Sequence, residues 1–331
     1  MNLRLYDIEH QITLVEKDYS THSFTMESSP VQESITSIDS LIGQGYYKEI
    51  YFDGVHIGIG DTTLSHPLQL GFESNFETIE MHFSLKGKNT ATTTNFNKEV
   101  SFQPHSHNIL YANGVSGKMQ WEDQMFQLCE INLEPHFFKR FFPEDTLLFE
   151  NFRNAIEKGS SSLLHPTHQY ISHEMYAIIE QIIQCQRKGL FKKMFLEAKV
   201  IELLLLQLEQ FQTIPSYSDT LNRRDIDKVY AVRDYILNNL DSSYTLLDLA
   251  RHVGTNDFIL KKGFKELFGT TVFSFWANQK MEQAKFLLQN QDLNISEISD
   301  LIGYKNPRHF SSAFKKKYGV SPSQWVKTHR F

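Results

Sequence analysis

NISEISDLIGYKNPRHFSSAFKKKYGVSPSQW runs from Asn294 to Trp325, near the end of a 331-residue chain. Asn294 can accept a hydrogen bond from the free N–H groups that open a helix. Glu297, three residues on, can return the bond, which is capping-box spacing. The helix so started is predicted to bury Ile295, Ile298, Leu301 and Ile302 and to end at Gly303, which supplies the sharp turn. Asn306 then caps a second helix, with Pro307 at its first position, where a missing N–H costs nothing. Phe310, Ala313, Phe314 and Tyr318 share one face of that helix; Arg308, His309, Ser312, Lys315 and Lys316 lie on the other. Two short helices joined by a glycine turn, the second basic on its outer face, read as a helix-turn-helix.

The pattern occurs twice. In TLLDLARHVGTNDFILKKGFKELFG, residues Thr245 to Gly269, the positions Ala250, Gly254, Leu260, Phe264 and Gly269 answer to Ser299, Gly303, Phe310, Phe314 and Gly319, with one residue inserted in the second turn. Gly269, Thr271 and Phe275 then match Gly319, Ser321 and Trp325. A repeat that keeps caps, turn glycine and core aromatics together is far more specific than a single motif. These residues resemble the DNA-binding domain of AraC/XylS-type transcription regulators, and the ending KKKYGVSPSQW is similar to that family's signature at the second motif. Ser299 stands where the family has alanine. The resemblance covers the last third of the chain.

Composition sets the frame. Hydrophobic residues make up 40% and charged residues 22%, an ordinary globular balance. Apolar runs such as Leu203–Leu206 are too short to span a bilayer, and MNLRLYDIEHQ has no signal-peptide pattern. Two cysteines, Cys129 and Cys185, make neither a disulfide framework nor a zinc site by themselves. A cytoplasmic location with no membrane association and no cofactor is expected. Charge is split: residues 222–331 carry 17 Lys and Arg against 11 Asp and Glu, a net of +6, within a chain of net −6, so residues 1–221 carry −12. An acidic body joined to a basic C-terminal module suits a DNA reader whose other part does something else.

Residues 1 to about 50 are polar and Ser/Thr-rich, with ESSPVQES reading as loop, and strand texture begins at Tyr46. Val55, Ile57 and Ile59 alternate with His56, Gly58 and Gly60; Ile79, Met81, Phe83 and Leu85 alternate with Glu80, His82, Ser84 and Lys86. Period two marks strands with one buried face. Short strands continue to about Leu133, so a sandwich or cupin-like barrel is expected, and the resemblance implies a cupin-like sensor. From Pro135 the pattern is helical. Ile171, Met175, Ile178, Ile179, Ile182 and Ile183 form one stripe. A longer helix, Phe191 to Phe211, carries two: Met194, Ala198, Ile201, Leu205 and Leu208, and also Leu196, Val200, Leu203 and Leu204. A helix apolar on so much of its circumference is covered from two sides. One cover can be the β-domain and the other the same helix of a second subunit, as the family's dimerisation helices imply; a purely intramolecular helix pair is the alternative. TIPSYSDTLN, Thr213 to Asn222, is the expected boundary.

The fold class is therefore α+β: a β-rich, cupin-like sensor over residues 1–160, a helical dimerisation segment over 161–214, and an all-α double helix-turn-helix domain over 222–331. A helix from about Asp225 to Asn239 opens that last domain. One from about Val272 to Gln289 joins its two motifs, able to hold the recognition helices roughly 34 Å apart. In the first motif Leu260, Gly263, Phe264 and Leu267 face inward, which leaves Phe258, Lys261, Lys262 and Lys265 outward. An exposed Phe258 makes sense against a thymine methyl or sugar; packing on its own domain is the alternative. In the second motif Arg308 and His309 occupy the first turn and Ser312 follows one turn later, and the resemblance implies that these read bases. Lys305, Lys315, Lys316 and Lys317 suit phosphates, some of them being plain solvated surface.

His105 and His107, in PHSHN, would share a strand face and could chelate a metal, but no glutamate follows before Glu122. Partly solvated histidines are expected, with no metal. No GxSxG, phosphate loop or HExxH occurs, so no enzyme is expected. DNA-repair alkyltransferases with a related domain need cysteines this chain lacks. Tyr46, Tyr47, Phe72, Phe76, Phe83 and Trp121 could line an apolar pocket or fill the core. The reading is a ligand-responsive DNA-binding regulator, by family habit an activator. Its implied partners are a double-stranded operator, a small-molecule effector, RNA polymerase and a second copy of itself. HNILYANGVSGKMQW resembles regulators that sense iron–siderophore complexes. A metal-dependent cupin enzyme fused to a DNA-binding domain and a DNA-binding dimer without effector are the alternatives.

Overall fold

The computed structural model describes residues 2–9, 13–18, 31–40, 42–96, 99–142, 147–212, 221–290 and 293–329. They form two compact units, Met1–Ile214 and Pro215–Phe331. Most of the boundary stretch read from the sequence, residues 213–220, lies outside the described residues.

The first unit is built on a twelve-stranded sheet. Its strands are β1 (Asn2–Asp7), β2 (Thr13–Asp18), β3 (Gln32–Ser40), β4 (Gly43–Phe52), β5 (Val55–Leu64), β6 (Leu68–Lys86), β7 (Asn89–Thr93), β8 (Val100–Phe102), β9 (Ser106–Trp121), β10 (Met125–Leu133), β11 (Ser162–Leu163) and β12 (Gln169–Tyr170). The main path is β3-β4-β5-β10-β6-β9-β7-β8, every pairing antiparallel. β6 is the hub, since β9 lies along one edge while β10 and β1 share the other. Among the described residues four helices follow: α1 (Pro135–Lys139), α2 (Leu147–Lys158), α3 (His173–Ile183) and α4 (Gly189–Gln212).

Two expectations need correction here. Strand structure begins well before Tyr46. β1 finds partners on both sides, β2 and β6, and buries Val15 of β2; polar β3 survives as an edge strand that, among the described residues, pairs with β4 alone. Of ESSPVQES, residues 27–30 lie outside the described residues, and Gln32–Ser34 are strand. Nor does the stretch after Pro135 read wholly as helix, because β11 and β12 pair with β9.

The alternation on β6 is as expected, but both faces are covered. Ile79, Met81 and Phe83 meet Leu133, Ile131 and Cys129 of β10 and Tyr111, Ile109 and His107 of β9 in register, all of them buried. This is the apolar core face. On the other face Thr78, His82 and Ser84 are buried too, and a polar layer lies there. α4 covers the β9 end of the core face. Phe211 packs its ring 5.4 Å from that of His107, while Leu196, Val200, Leu203 and Leu204 are buried. Its N-terminal end is tied down by Lys192, itself buried, whose Nζ is 2.5 Å from Glu33 Oε1 on β3.

The second unit is all helix: α5 (Arg223–Asn238), α6 (Leu246–His252), α7 (Asp257–Phe268), α8 (Val272–Asn290), α9 (Ile295–Leu301), α10 (Pro307–Tyr318) and α11 (Pro322–His329). The repeat holds atom by atom. Thr245 with Asp248 and Asn294 with Glu297 both form capping boxes. Gly254 and Gly303 have φ of 66° and 75°, and after each the chain bonds back identically. Thr255 N donates to Ala250 O, and Tyr304 N to Ser299 O, both at 2.9 Å. The Ser299 hydroxyl, in the family's alanine position, is fully buried and donates to Tyr304 O at 3.4 Å, so its extra oxygen is satisfied. Gly269 and Gly319 end α7 and α10 in the left-handed conformation. In the C-terminal motif Ile298, Ile302, Phe310 and Phe314 pack on Met281, Ala284, Leu287 and Leu288 of α8. Leu301 does not join them: it is 55% exposed, on the solvent side of a helix only seven residues long.

Candidate DNA-reading face and a buried polar layer

α7 and α10 start alike. Asn256 Oδ1 accepts from Ile259 N at 2.8 Å, and Asn306 Oδ1 accepts from Arg308 N at 2.8 Å. Counting from these caps, Phe258 stands where Arg308 does, Lys262 where Ser312 does, and Lys265 where Lys315 does. Leu260 and Phe264, like Phe310 and Phe314, are fully buried, so the core face of each helix is fixed and its opposite face must point outward. Lys305, Arg308, His309, Ser312, Lys315 and Lys316 are accordingly all exposed, as are Lys261 and Lys265. Phe258 is 63% exposed, which disposes of packing on its own domain, and the half-buried Lys262 holds its Nζ 5.7 Å above the ring.

The two faces differ in charge. On α7 Lys261 is engaged by Asp257 at 2.7 Å, which holds the Asp257 carboxyl below its usual range, and the helix carries a second acidic residue, Glu266. On α10 no acidic residue interrupts Arg308, Lys315 and Lys316. Lys317 departs from the sequence reading. Its Nζ pairs with Glu282 at 2.9 Å and donates to Asn278 O at 3.1 Å, so it braces α10 against α8 rather than waiting for a phosphate.

The histidine pair also departs from expectation. His105 has φ of +63° and precedes β9, so the face-sharing that holds along a strand does not apply to it and His107. Both are buried rather than partly solvated. His105 Nδ1 is 2.6 Å from Tyr176 Oη. Gln207 Nε2 donates to His107 Nδ1 at 2.8 Å, and His107 Nε2 donates to Gln210 Oε1 at 2.6 Å. Two glutamines of α4 thus fix a neutral imidazole, whose pKa burial lowers to about 4.

Sequence reasoning missed the polar layer on the far face of the sheet. Register places Tyr47, Glu49 and Tyr51 of β4, His56 of β5, Glu130 and Asn132 of β10, Glu80 and His82 of β6 and Asn108 of β9 on that face. Glu49 is fully buried and is met by Lys17 and by the Tyr51 hydroxyl. Asn132 links His56 Nδ1 at 3.2 Å to Thr78 Oγ1 at 3.1 Å. The Tyr47 hydroxyl donates to Glu130, whose pKa is raised by burial and next by the Glu80 charge. The only signal in the sequence was that the residues between the apolar positions of β6 are ionisable; period two alone assigns these to solvent.

Comparison with known proteins adds the identity. A profile for the "Regulatory protein PchR N-terminal domain" matches residues 43–221, more than half of the chain, and one for a "Helix-turn-helix domain" matches residues 249–328. The chain is 32% identical over 123 residues to the regulatory protein PchR of Pseudomonas aeruginosa, covering 37% of this chain and 42% of that protein. It is 26% identical over 176 residues to the Msm operon regulatory protein of Streptococcus mutans, covering 53% of this chain and 63% of that one. The chain thus spans less than two thirds of either relative. Among solved structures, the C-terminal domain of AraT, a response regulator from Geobacillus stearothermophilus, is 31% identical, covering 31% of this chain and 87% of that one, with a TM-score of 0.31. The repeated helix-turn-helix and the match over residues 43–221 agree: this chain belongs to the AraC-type regulatory proteins that carry a PchR N-terminal domain ahead of their helix-turn-helix domain.

Proposed function

We propose that this protein is a ligand-responsive, sequence-specific DNA-binding transcription regulator, an activator rather than an enzyme, working in the cytoplasm. The observation that carries this reading is the pair of asparagine-capped helices whose outer faces present Phe258, Lys261, Lys262 and Lys265, and Arg308, His309 and Ser312 with Lys305, Lys315 and Lys316. Side chains in the first turn of such a helix reach base edges, while lysines further back reach phosphates. The second helix supplies most of the base readout and charge, and the first adds an apolar contact through Phe258. No helix among the described residues is long and apolar enough to cross a membrane.

The division of labour follows the sequence reading, with residues 1–160 as sensor, 161–214 as dimerisation segment and 222–331 as DNA-binding domain, and with RNA polymerase as the partner of the activated complex. The match to the PchR N-terminal domain supports a small-molecule effector, and makes a ferric siderophore chelate the first class to test. Dimerisation is supported by α4. With Leu196, Val200, Leu203 and Leu204 buried, its other face leaves Phe191 76%, Met194 59% and Leu205 53% exposed. These residues follow helical spacing on one stripe, the seam a second copy of the helix would cover.

Selection from randomised duplex DNA with the full chain tests the reading. The expected product is a site with two conserved segments centred about 10 base pairs apart, one for each recognition helix. Failure to enrich any sequence over the starting pool would sink it.

A further inference from the structure

Within the polar layer, β10 and β6 run side by side with His82 opposite Glu130, and Glu80 lies two residues before His82 on the same face. One donor atom from each of these three side chains lies within 4.8 Å of the other two, the single such group of histidine, cysteine and carboxylate residues among the described residues. His82 is 8% exposed. Its Nδ1 is 2.7 Å from Glu80 Oε1, while its Nε2 is buried with no hydrogen-bond partner among the described residues. A buried nitrogen left so is destabilising. The two carboxylates beside it, both half-buried, also repel each other. A cation would relieve that repulsion, and one bound through Nε2 would also give that nitrogen a partner.

We propose that Glu80, His82 and Glu130 form a binding site for a divalent first-row transition metal ion in the sheet of the N-terminal unit. One imidazole and two carboxylates are a donor set for zinc, ferrous iron or manganese, whereas magnesium and calcium take oxygen alone. Donors around a tetrahedral ion with bonds of about 2.1 Å stand roughly 3.4 Å apart, so side-chain rotation by an ångström or so draws the three together. Both strands are interior to the sheet, which holds the donors on rigid elements. The Tyr47 hydroxyl already orients Glu130, as an outer-shell partner does, and the Phe102 ring lies tilted against that of His82, the ring centres 4.1 Å apart. Three protein donors leave at least one coordination position for a further oxygen or nitrogen ligand. The site rests on the first unit alone, so its failure leaves the DNA-binding reading standing, and the reverse.

The test uses the full chain, stripped with a chelator, desalted, and titrated calorimetrically with Zn2+ and with Mn2+. One equivalent per chain is expected. His82→Ala and Glu130→Gln should each weaken binding at least roughly tenfold. Glu122→Gln, on the exposed rim, should leave it unchanged. The unmutated protein supplies a check that does not depend on a variant folding. Mn2+ should broaden the methyl signals of Met81 and Ile131, the neighbours of His82 and Glu130, before those of Ile298 and Ile302 in the C-terminal unit. No uptake, or uptake that spares the Met81 and Ile131 signals, would overturn the proposal.

Discussion

At Gly303 a Cβ would stand 2.0 Å from the backbone oxygen of Asp241, in a residue whose φ of +75° already disfavours any side chain. Gly254, its counterpart in the first motif, has φ of +66° but nothing within 4 Å. Alanine should therefore separate the two roles of a turn glycine. Gly254→Ala should cost about 1–2 kcal/mol, the left-handed penalty alone. Gly303→Ala should cost clearly more, since backbone must move. Urea unfolding followed by tryptophan fluorescence measures both, with Trp276 and Trp325 reporting on this unit; equal losses would show that the Asp241 contact does not matter. The glycines were legible in the sequence because they stand at fixed places in a repeat. The Asp241 contact was not, because it joins residues 62 positions apart in the chain. His107 makes the same point. Its neighbours Gln207 and Gln210 lie 100 and 103 residues away, so the PHSHN motif alone could not show that its nitrogens are already committed. It also gives a pH dependence. Burial holds its folded pKa at about 4 against 6.5 for a free histidine. As pH falls below 6.5 the unfolded chain takes a proton that the folded one refuses. The contribution is thus complete above pH 6.5, shrinks by up to roughly 1.4 kcal/mol per pH unit, and is lost below about 4. His107→Gln should flatten the pH 7–5 slope of stability by part of that amount, and an unchanged slope would contradict the assignment.

Among the elements, α4 shows how far a helical stripe can be read. Both stripes were visible as spacing, but which of them meets the sheet was not, because each is equally apolar. Packing decides it: Leu196, Val200, Leu203 and Leu204 go under, together with Leu208 from the end of the other stripe, and Phe191, Met194 and Leu205 stay out. The dimer expected on this face should separate under mutation of the outer stripe only. Met194→Glu with Leu205→Glu should convert the chain to a monomer in light scattering at micromolar concentration with little change in circular dichroism. A chain that is monomeric before mutation, or dimeric after it, would rule α4 out as the seam. β6 teaches the complementary lesson. Its alternation set the register correctly, yet the inference that one face is wet failed, because β4, β5, β9 and β10 set polar residues beside its own, most of them hydrogen-bonded to one another, and His82 and Ser84 are buried among them. Periodicity reports the pleat, while partners in distant strands decide what each face touches. The same limit explains Lys317, placed by helical phase among the phosphate-facing lysines and taken instead by Glu282 of α8.

Over the whole molecule, charge and family agree on a division between an acidic N-terminal part and a basic C-terminal one. The C-terminal fold was readable almost residue by residue because caps, turns and core positions are local and occur twice. The N-terminal unit was readable only as strand texture, since its sheet is assembled from pairings between distant segments such as β1 with β6 and β5 with β10. On the function proposed above, α10 reads base sequence while the lysines behind it supply affinity. Arg308 sits in the first turn, on a helix phased by Phe310 and Phe314, and can give two hydrogen bonds to a guanine edge, worth roughly 1–3 kcal/mol of discrimination. Lys316 is two turns further back and exposed. The decisive measurement is a binding titration of both alanine variants on a selected operator and its single-base variants at several salt concentrations. Arg308→Ala should lose preference at one base pair with the salt slope nearly unchanged. Lys316→Ala should weaken all sequences alike and reduce the slope by roughly one unit. A uniform loss of affinity in Arg308→Ala, with base preference intact, would mean that α10 does not read the base sequence.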